Sequence, residues 1–231
     1  MAPAPRQLVF DLAHRPALGA EDFIVSSSNQ AAVDAIDLWP GWSHFGLTLV
    51  GPAQCGKTHL ANVWRLRSNA HSVAAADLSE QVVAVLDCDQ SLLVEDLDQG
   101  IGCPRTLFHL MNLAREHRRT ILFTARVSPG EIDVILPDLR SRLRALPVVM
   151  IERPDEALLR TVLIKHFADR QLAVDPQLIS YIAVRIERSM AAAEQIVAET
   201  DRLALATHRR VTRPLVAQAL AGLGWSGETE A

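Results

Sequence analysis

An α/β protein, with a parallel sheet flanked by helices and then a small all-helical subdomain, is the fold class this sequence predicts. Three observations carry that expectation. A short apolar run ending at Gly51 passes through a glycine-bounded loop into a helical pattern. Apolar runs of strand length then alternate with helical stretches as far as Ile151. Beyond that point only helical periodicity remains.

The first strand is expected over Phe45 to Val50, and Leu60, Ala61 and Trp64 mark one face of the helix that follows. Together these open a βαβ unit. Further strands are expected at Ser72 to Ala76, Ser91 to Val94, Ile121 to Thr124 and Val148 to Ile151. Short apolar strands separated by helices imply a parallel sheet covered on both faces. After Ile151, Leu158, Leu159, Val162, Leu163 and Phe167 recur at helical spacing, as do Leu178, Ile179, Ile182 and Ile186. Asp175-Pro176 reads as an N-cap followed by proline in the first turn. Ser189 and Thr212 read as caps of two later helices, one carrying Ile196, Val197 and Leu203 and the other Val216 and Leu220. The organisation expected is a tail over 1–20, an α/β nucleotide-binding subdomain over 21–153, a helical lid over 154–225 and a short tail over 226–231.

Composition narrows the function classes. The chain of 231 residues is 49% apolar and 22% charged, enough to bury a sizeable core. Lys and Arg number 23 against 27 Asp and Glu, a formal net charge of −4, so no overall positive field draws the chain onto nucleic acid. Cys55, Cys88 and Cys103 are odd in number and lack CxxC spacing, which argues against a disulfide framework or zinc knuckle and for a reducing cytosol. His109 and His117 are too far apart to ligate one metal from a single helix face. No apolar stretch approaches the ~18 residues of a membrane span, so a cytoplasmic protein without a membrane partner is expected.

Gly51-Pro52-Ala53-Gln54-Cys55-Gly56-Lys57-Thr58 fits G-x-x-x-x-G-K-[ST] and falls between an expected strand and an expected helix, where that motif belongs. Glycines let the backbone curl so that successive N–H groups face phosphates, and the helix N-terminus adds partial positive charge. Lys57 would neutralise the terminal phosphates and Thr58 would offer a hydroxyl to Mg²⁺. Cys55 is either a thiol acidified at the helix end or, more simply, a small residue that fits the loop. Leu92-Leu93-Val94-Glu95-Asp96 supplies the second element, an apolar strand ending in acids, with Glu95 toward the metal and Asp96 toward the attacking water. The order Glu then Asp is unusual. Displacing a carboxylate by about a bond length can cost ~100-fold in rate, so binding would survive what hydrolysis does not.

Taken in order, these segments resemble the DnaA-related AAA+ family of bacterial replication proteins, and most closely its short Hda-type members. The resemblance covers nearly the whole chain. Glu21 to Val25 followed by Ser28-Asn29-Gln30 resembles the family's entry segment along the adenine pocket, which implies a nucleotide contact at Asn29. Thr124 falls where the family's sensor-1 strand ends, although Ala125-Arg126 replaces the acid or amide often found next. Leu136 to Leu143, LPDLRSRL, resembles the segment carrying the arginine finger and implies that role for Arg142; read alone, Arg142 is a helix-end cation in water. The sensor-2 arginine is missing from Ser189 to Glu194, with Arg188 just outside, which weakens turnover in cis. The segment Gln7-Leu8-Val9-Phe10-Asp11-Leu12 resembles the QLxLxL peptide that docks on the bacterial sliding clamp. Leu8, Phe10 and Leu12 would be the apolar anchors and Gln7 the polar contact; an edge strand is the other reading.

The resemblance implies ADP or ATP with Mg²⁺ as cofactors, and DnaA and the DNA polymerase III sliding clamp (beta subunit) as partners. DNA would be reached only through the clamp, and a homo-oligomer is left open. The expected function is negative regulation of replication initiation, with Arg142 stimulating hydrolysis of DnaA-bound ATP. The competing expectations are an autonomous AAA+ ATPase resembling a helicase loader and a non-catalytic nucleotide-binding scaffold. Trp39-Pro40-Gly41-Trp42 is expected over a sheet edge or beside the nucleotide, and Arg209, Arg210 and Arg213 on a solvated face.

Overall fold

The computed structural model describes residues 23–81 and 90–225. The chain divides into two compact units, with the second helical unit beginning at Pro154.

In the first unit, helix α1 (Gln30–Asp37) is followed by β1 (Gly46–Val50), α2 (Lys57–Ser68), β2 (His71–Ala74), β3 (Leu92–Glu95), α3 (Pro104–Glu116), β4 (Ile121–Ala125), α4 (Pro137–Arg144) and β5 (Val148–Met150). The five strands pair in the order β2-β3-β4-β1-β5, and every pairing is parallel. Alternation along the strands explains why helices cover both faces. Leu92, Val94, Ile121 and Phe123 point to one side and pack with Leu107, Met111, Leu139 and Leu143 of α3 and α4. Leu93 and Leu122, one residue out of step, point to the other side and join Leu49 of β1, Ile36 of α1, and Leu60 and Trp64 of α2.

The central strands β1 and β4 are buried throughout, but the two edges differ from the expectation of uniform coverage. Val148 and Met150 on β5 are exposed, Met150 by 55%, because β5 has a neighbour on one side only. At the other edge β2 stops at Ala74, where Ala75–Asp77 turns into a 3₁₀ helix, so the strand is shorter than Ser72 to Ala76 suggested. The tryptophan loop packs into the core: Trp42 stacks on buried Trp64 at 5.6 Å and Trp39 meets it edge-on at 6.3 Å. The Trp39 indole donates to Thr120 Oγ1 and the Trp42 indole to the Ala35 carbonyl, so both polar edges are satisfied.

Among the described residues the second unit holds four helices, α5 (Glu156–Asp169), α6 (Pro176–Ala183), α7 (Met190–Thr207) and α8 (Arg213–Gly222). Leu158, Leu159, Val162, Leu163 and Phe167 bury one stripe of α5, and Ile182, Ile196, Val197, Val216 and Leu220 from the other helices are likewise buried. Asp155, Asp175 and Ser189 cap their helices by accepting from Leu158, Gln177 and Ala192 N–H respectively. Thr212 stands at the N-cap of α8 but its hydroxyl makes no cap bond. Pro214, in the second helical position, removes one of the two N–H groups such a cap would reach.

Candidate nucleotide-binding site

The loop between β1 and α2 is shaped by two glycines. A Cβ on Gly51 would lie 2.3 Å from the Ile151 carbonyl oxygen and 2.8 Å from Cys55 Sγ, so only glycine lets the chain leave β1 beside β5. Gly56 has φ +104, the left-handed conformation needed to aim the backbone into the first turn of α2. Between them Gln54 also has positive φ, and Pro52, Ala53 and Gln54 form the partly exposed crest. Cys55 is buried beneath the crest, and burial pushes its thiol up from the ordinary value, with Lys57 opposing more weakly. That agrees with the simpler reading of Cys55 as a small residue filling the loop.

Lys57 is only 7% exposed, and its Nζ donates to the Gly51 and Pro52 carbonyls, each at 2.7 Å. Among the described residues no carboxylate pairs with it. A buried ammonium held by backbone dipoles with no counter-charge suits an anion brought from outside. Thr58 follows it, exposed, in the first turn of α2. The glycine geometry and this cation together fit a phosphate chain.

The acids arrive from β3. The sheet order places β4 between β3 and β1, so Glu95 and the loop stand two strand spacings apart, about 10 Å. Glu95 accepts a hydrogen bond from Ser72 Oγ on β2 at 2.9 Å through Oε2. Asp96 is exposed, has φ 55, and its N–H donates to Thr124 Oγ1 at 3.0 Å. Thr124 is 2% exposed, so its hydroxyl links the end of β4 to the turn that presents Asp96. A second clip lies just beyond, where Arg126 N–H donates to Asp98 Oδ1 at 2.8 Å. Among the described residues no group of three or more His, Cys, Asp or Glu could hold a metal. Thr58 and Glu95 would therefore hold Mg²⁺ only together with phosphate oxygens and water, as that ion commonly is held.

Asn29 is placed differently from the contact its position suggested. It is 1% exposed, its Oδ1 accepts from Ser26 N–H and its Nδ2 donates to the Ile24 carbonyl. Its side chain shapes the entry segment, which is docked on the residues after β5 by Glu152 N–H donating to the Ser28 carbonyl. The backbone of that segment, and Phe23, whose ring lies 3.5 Å from a Cβ built on Gly56, are what it brings to the loop.

Arg142 lies far from all of this. It is in the last turn of α4, which returns the chain to the N-terminal ends of the strands, whereas the Gly51 to Thr58 loop follows the C-terminal end of β1. Its guanidinium is stacked over the Phe108 ring of α3 at 4.6 Å. Sequence reasoning missed Phe108 as the seat of Arg142 and Ser72 as the partner of Glu95. Both contacts join elements distant in sequence and carry no local signal. Gln7, Leu8, Phe10 and Leu12 lie outside the described residues.

The fold is that of a P-loop AAA+ domain. Domain III of the Thermotoga maritima replication initiation protein DnaA superposes with TM-score 0.77 at 18% identity, covering 90% of this chain and 97% of that one. AMPPCP-bound DnaA from Aquifex aeolicus gives TM-score 0.67 at 19% identity, covering 80% and 65%. The RuvB Holliday junction branch migration motor of Thermotoga maritima gives 0.67 at 17%, covering 84% and 69%. More particularly, the chain is similar in sequence to DnaA, and its residues 155–220 match the Hda lid domain family. It is 25% identical over 195 residues to the chromosomal replication initiator protein DnaA of Cutibacterium acnes, covering 74% of this chain. The chain spans 39% of that relative's length.

Proposed function

We propose that this protein is a nucleotide-bound regulator of replication initiation that stimulates hydrolysis of ATP on DnaA by presenting Arg142 in trans. The observation that carries the proposal is the separation of Arg142 from its own phosphate loop. A strand of five residues spans about 16 Å, so a side chain at the N-terminal ends of the strands is remote from phosphates at the opposite ends. An arginine finger there serves a neighbouring molecule or none. The Phe108 ring seats the guanidinium before any partner arrives, which reduces the entropy lost on docking. A seated guanidinium placed against a transferring phosphoryl group is worth ~10³ to 10⁵ in rate.

The Gly51 to Thr58 loop would hold ADP or ATP, with Lys57 on the terminal phosphates and Thr58 and Glu95 at Mg²⁺. The support is the uncompensated Lys57 cation and the two glycine positions. Bound nucleotide supplies the phosphate charge that Lys57 lacks among its own neighbours. Hydrolysis by this chain itself would be weak or absent. Asp96 is displaced onto a left-handed turn after Glu95, and the first turn of α7, Met190 onward, contains no arginine. The lid match supports a DnaA-linked role. By resemblance, Gln7, Leu8, Phe10 and Leu12 would tether the protein to the sliding clamp in the cytoplasm and place it near DnaA on clamp-loaded DNA.

The test is ATP hydrolysis by purified DnaA with clamp-loaded DNA, with wild type compared against Leu8→Ala/Phe10→Ala. Wild type should accelerate hydrolysis, and the double variant should lose that effect while keeping its nucleotide affinity. No acceleration by wild type would sink the regulator reading, leaving an autonomous ATPase or a scaffold.

A further inference from the structure

Phe45 and Thr120 directly precede β1 and β4, so the cleft they line opens at the N-terminal ends of the strands. Its volume is about 790 Å³, and Arg115, Arg118, Arg119 and Arg142 all line it. Arg115 is in the last turn of α3, and Arg118 and Arg119 follow the helix end. A helix C-terminus carries about half a negative charge, which one cation satisfies. Three guanidiniums there and a fourth arriving from α4 exceed it. Among the described residues no acidic side chain lines the cleft, and none of these four arginines makes an ion pair. Arg119 Nε is buried without a hydrogen-bond partner. Four guanidiniums without ion pairs, and no acid among the described lining residues, leave the cleft cationic.

We infer that this cleft binds the phosphodiester backbone of nucleic acid. Guanidinium is the side-chain group best matched to phosphate oxygens, because its fork donates two parallel bonds. Arg115 and Arg118 are exposed and Arg119 is half-buried, so at least two guanidiniums are open to phosphate oxygens. Trp42 and Phe45 in the wall add the ring surface typical of strand-binding grooves. With a net charge of −4 on the whole chain, the contact is local, weak and salt-sensitive. It would orient a protein brought to DNA by other means, and it requires neither nucleotide in the loop nor Arg142 acting on a partner.

The experiment is fluorescence anisotropy of the full chain with a labelled 20-nucleotide single strand and with a 20-base-pair duplex, from about 25 to 200 mM salt. Arg115→Ala/Arg118→Ala should raise Kd at low salt about tenfold or more and flatten the plot of log K against log salt by about 1.4 for the single strand and about 1.8 for the duplex, since each phosphate contact contributes about 0.7 to 0.9. Both side chains are exposed, so their loss opens no cavity. Arg115→Lys/Arg118→Lys should restore the slope, because counterion release depends on charge. Equal Kd and slope for wild type and the alanine variant would overturn the proposal. So would binding of inorganic tripolyphosphate with no binding of either nucleic acid, which would mark a site for a free polyphosphate ion.

Discussion

The two ends of the parallel sheet carry the same kind of charge in opposite arrangements. At the C-terminal ends of the strands one lysine, Lys57, is buried and held by carbonyls of its own loop, with Glu95 and Asp96 two strands away. At the N-terminal ends four arginines line an open cleft with no acid among the described lining residues, and one of them, Arg142, rests on Phe108. The first end encloses its cation within the loop. The second presents cations toward an open cleft. On the proposed function, one βαβ scaffold would separate binding in cis from action in trans by the length of its strands.

Variants at the two ends should therefore fail in different assays. The largest expected effect is at the loop: Lys57→Ala removes the cation that Gly51 and Pro52 hold and should weaken ATP and ADP binding by about 100-fold or more, measured by calorimetry. Arg142→Ala should leave that affinity within about twofold. If Arg142→Ala weakened binding as much as Lys57→Ala, the separation of the two ends would be wrong. Gly51→Ala should come next. Its methyl would meet the Ile151 carbonyl at 2.3 Å, and overpacking of this kind costs about 1–3 kcal/mol, visible in thermal melting, in addition to distorting the loop.

The α/β core was legible because the runs at Phe45 to Val50, Ser91 to Val94 and Ile121 to Thr124 are nearly unbroken and the motif Gly51 to Thr58 constrains what lies either side. The central strands follow from composition alone. The edges were less legible: Val148 to Ile151 reads as a strand of a sheet covered on both faces, yet Val148 and Met150 are exposed where β5 has one neighbour, and strand order is a long-range property that no local pattern encodes. The same holds at the site. The loop could be placed from its glycines, but the seat of Arg142 on Phe108 and the bond from Ser72 to Glu95 depend on which elements become adjacent. Asn29 is the instructive case, since a polar residue beside an expected pocket proved to have both ends of its amide used within its own turn.

Smaller effects belong to the helical unit. Ser189→Ala should cost about 1 kcal/mol in urea unfolding, because its hydroxyl caps Ala192 N–H, whereas Thr212→Ala should cost only a few tenths, having no such bond to lose. Burial holds the His166 imidazole below its ordinary pKa of 6.5, against weaker opposing attraction from Glu194. The folded unit thus binds that proton less readily than the unfolded chain. The stability concerned is complete above about pH 6.5 and declines as pH falls below it. His166→Gln should flatten the fall of melting temperature as pH drops below about 6.5, because the burden of protonating that imidazole is removed.

The most direct test of action in trans is single-turnover hydrolysis of ATP held by DnaA, with clamp-loaded DNA and this protein as wild type, Arg142→Ala or Arg142→Lys, all preloaded with ADP. Loss of stimulation by about 10³ in the alanine variant, not rescued by lysine, is the predicted result. Undiminished stimulation by Arg142→Ala would contradict it, since the cation seated on Phe108 would then have no part in the chemistry.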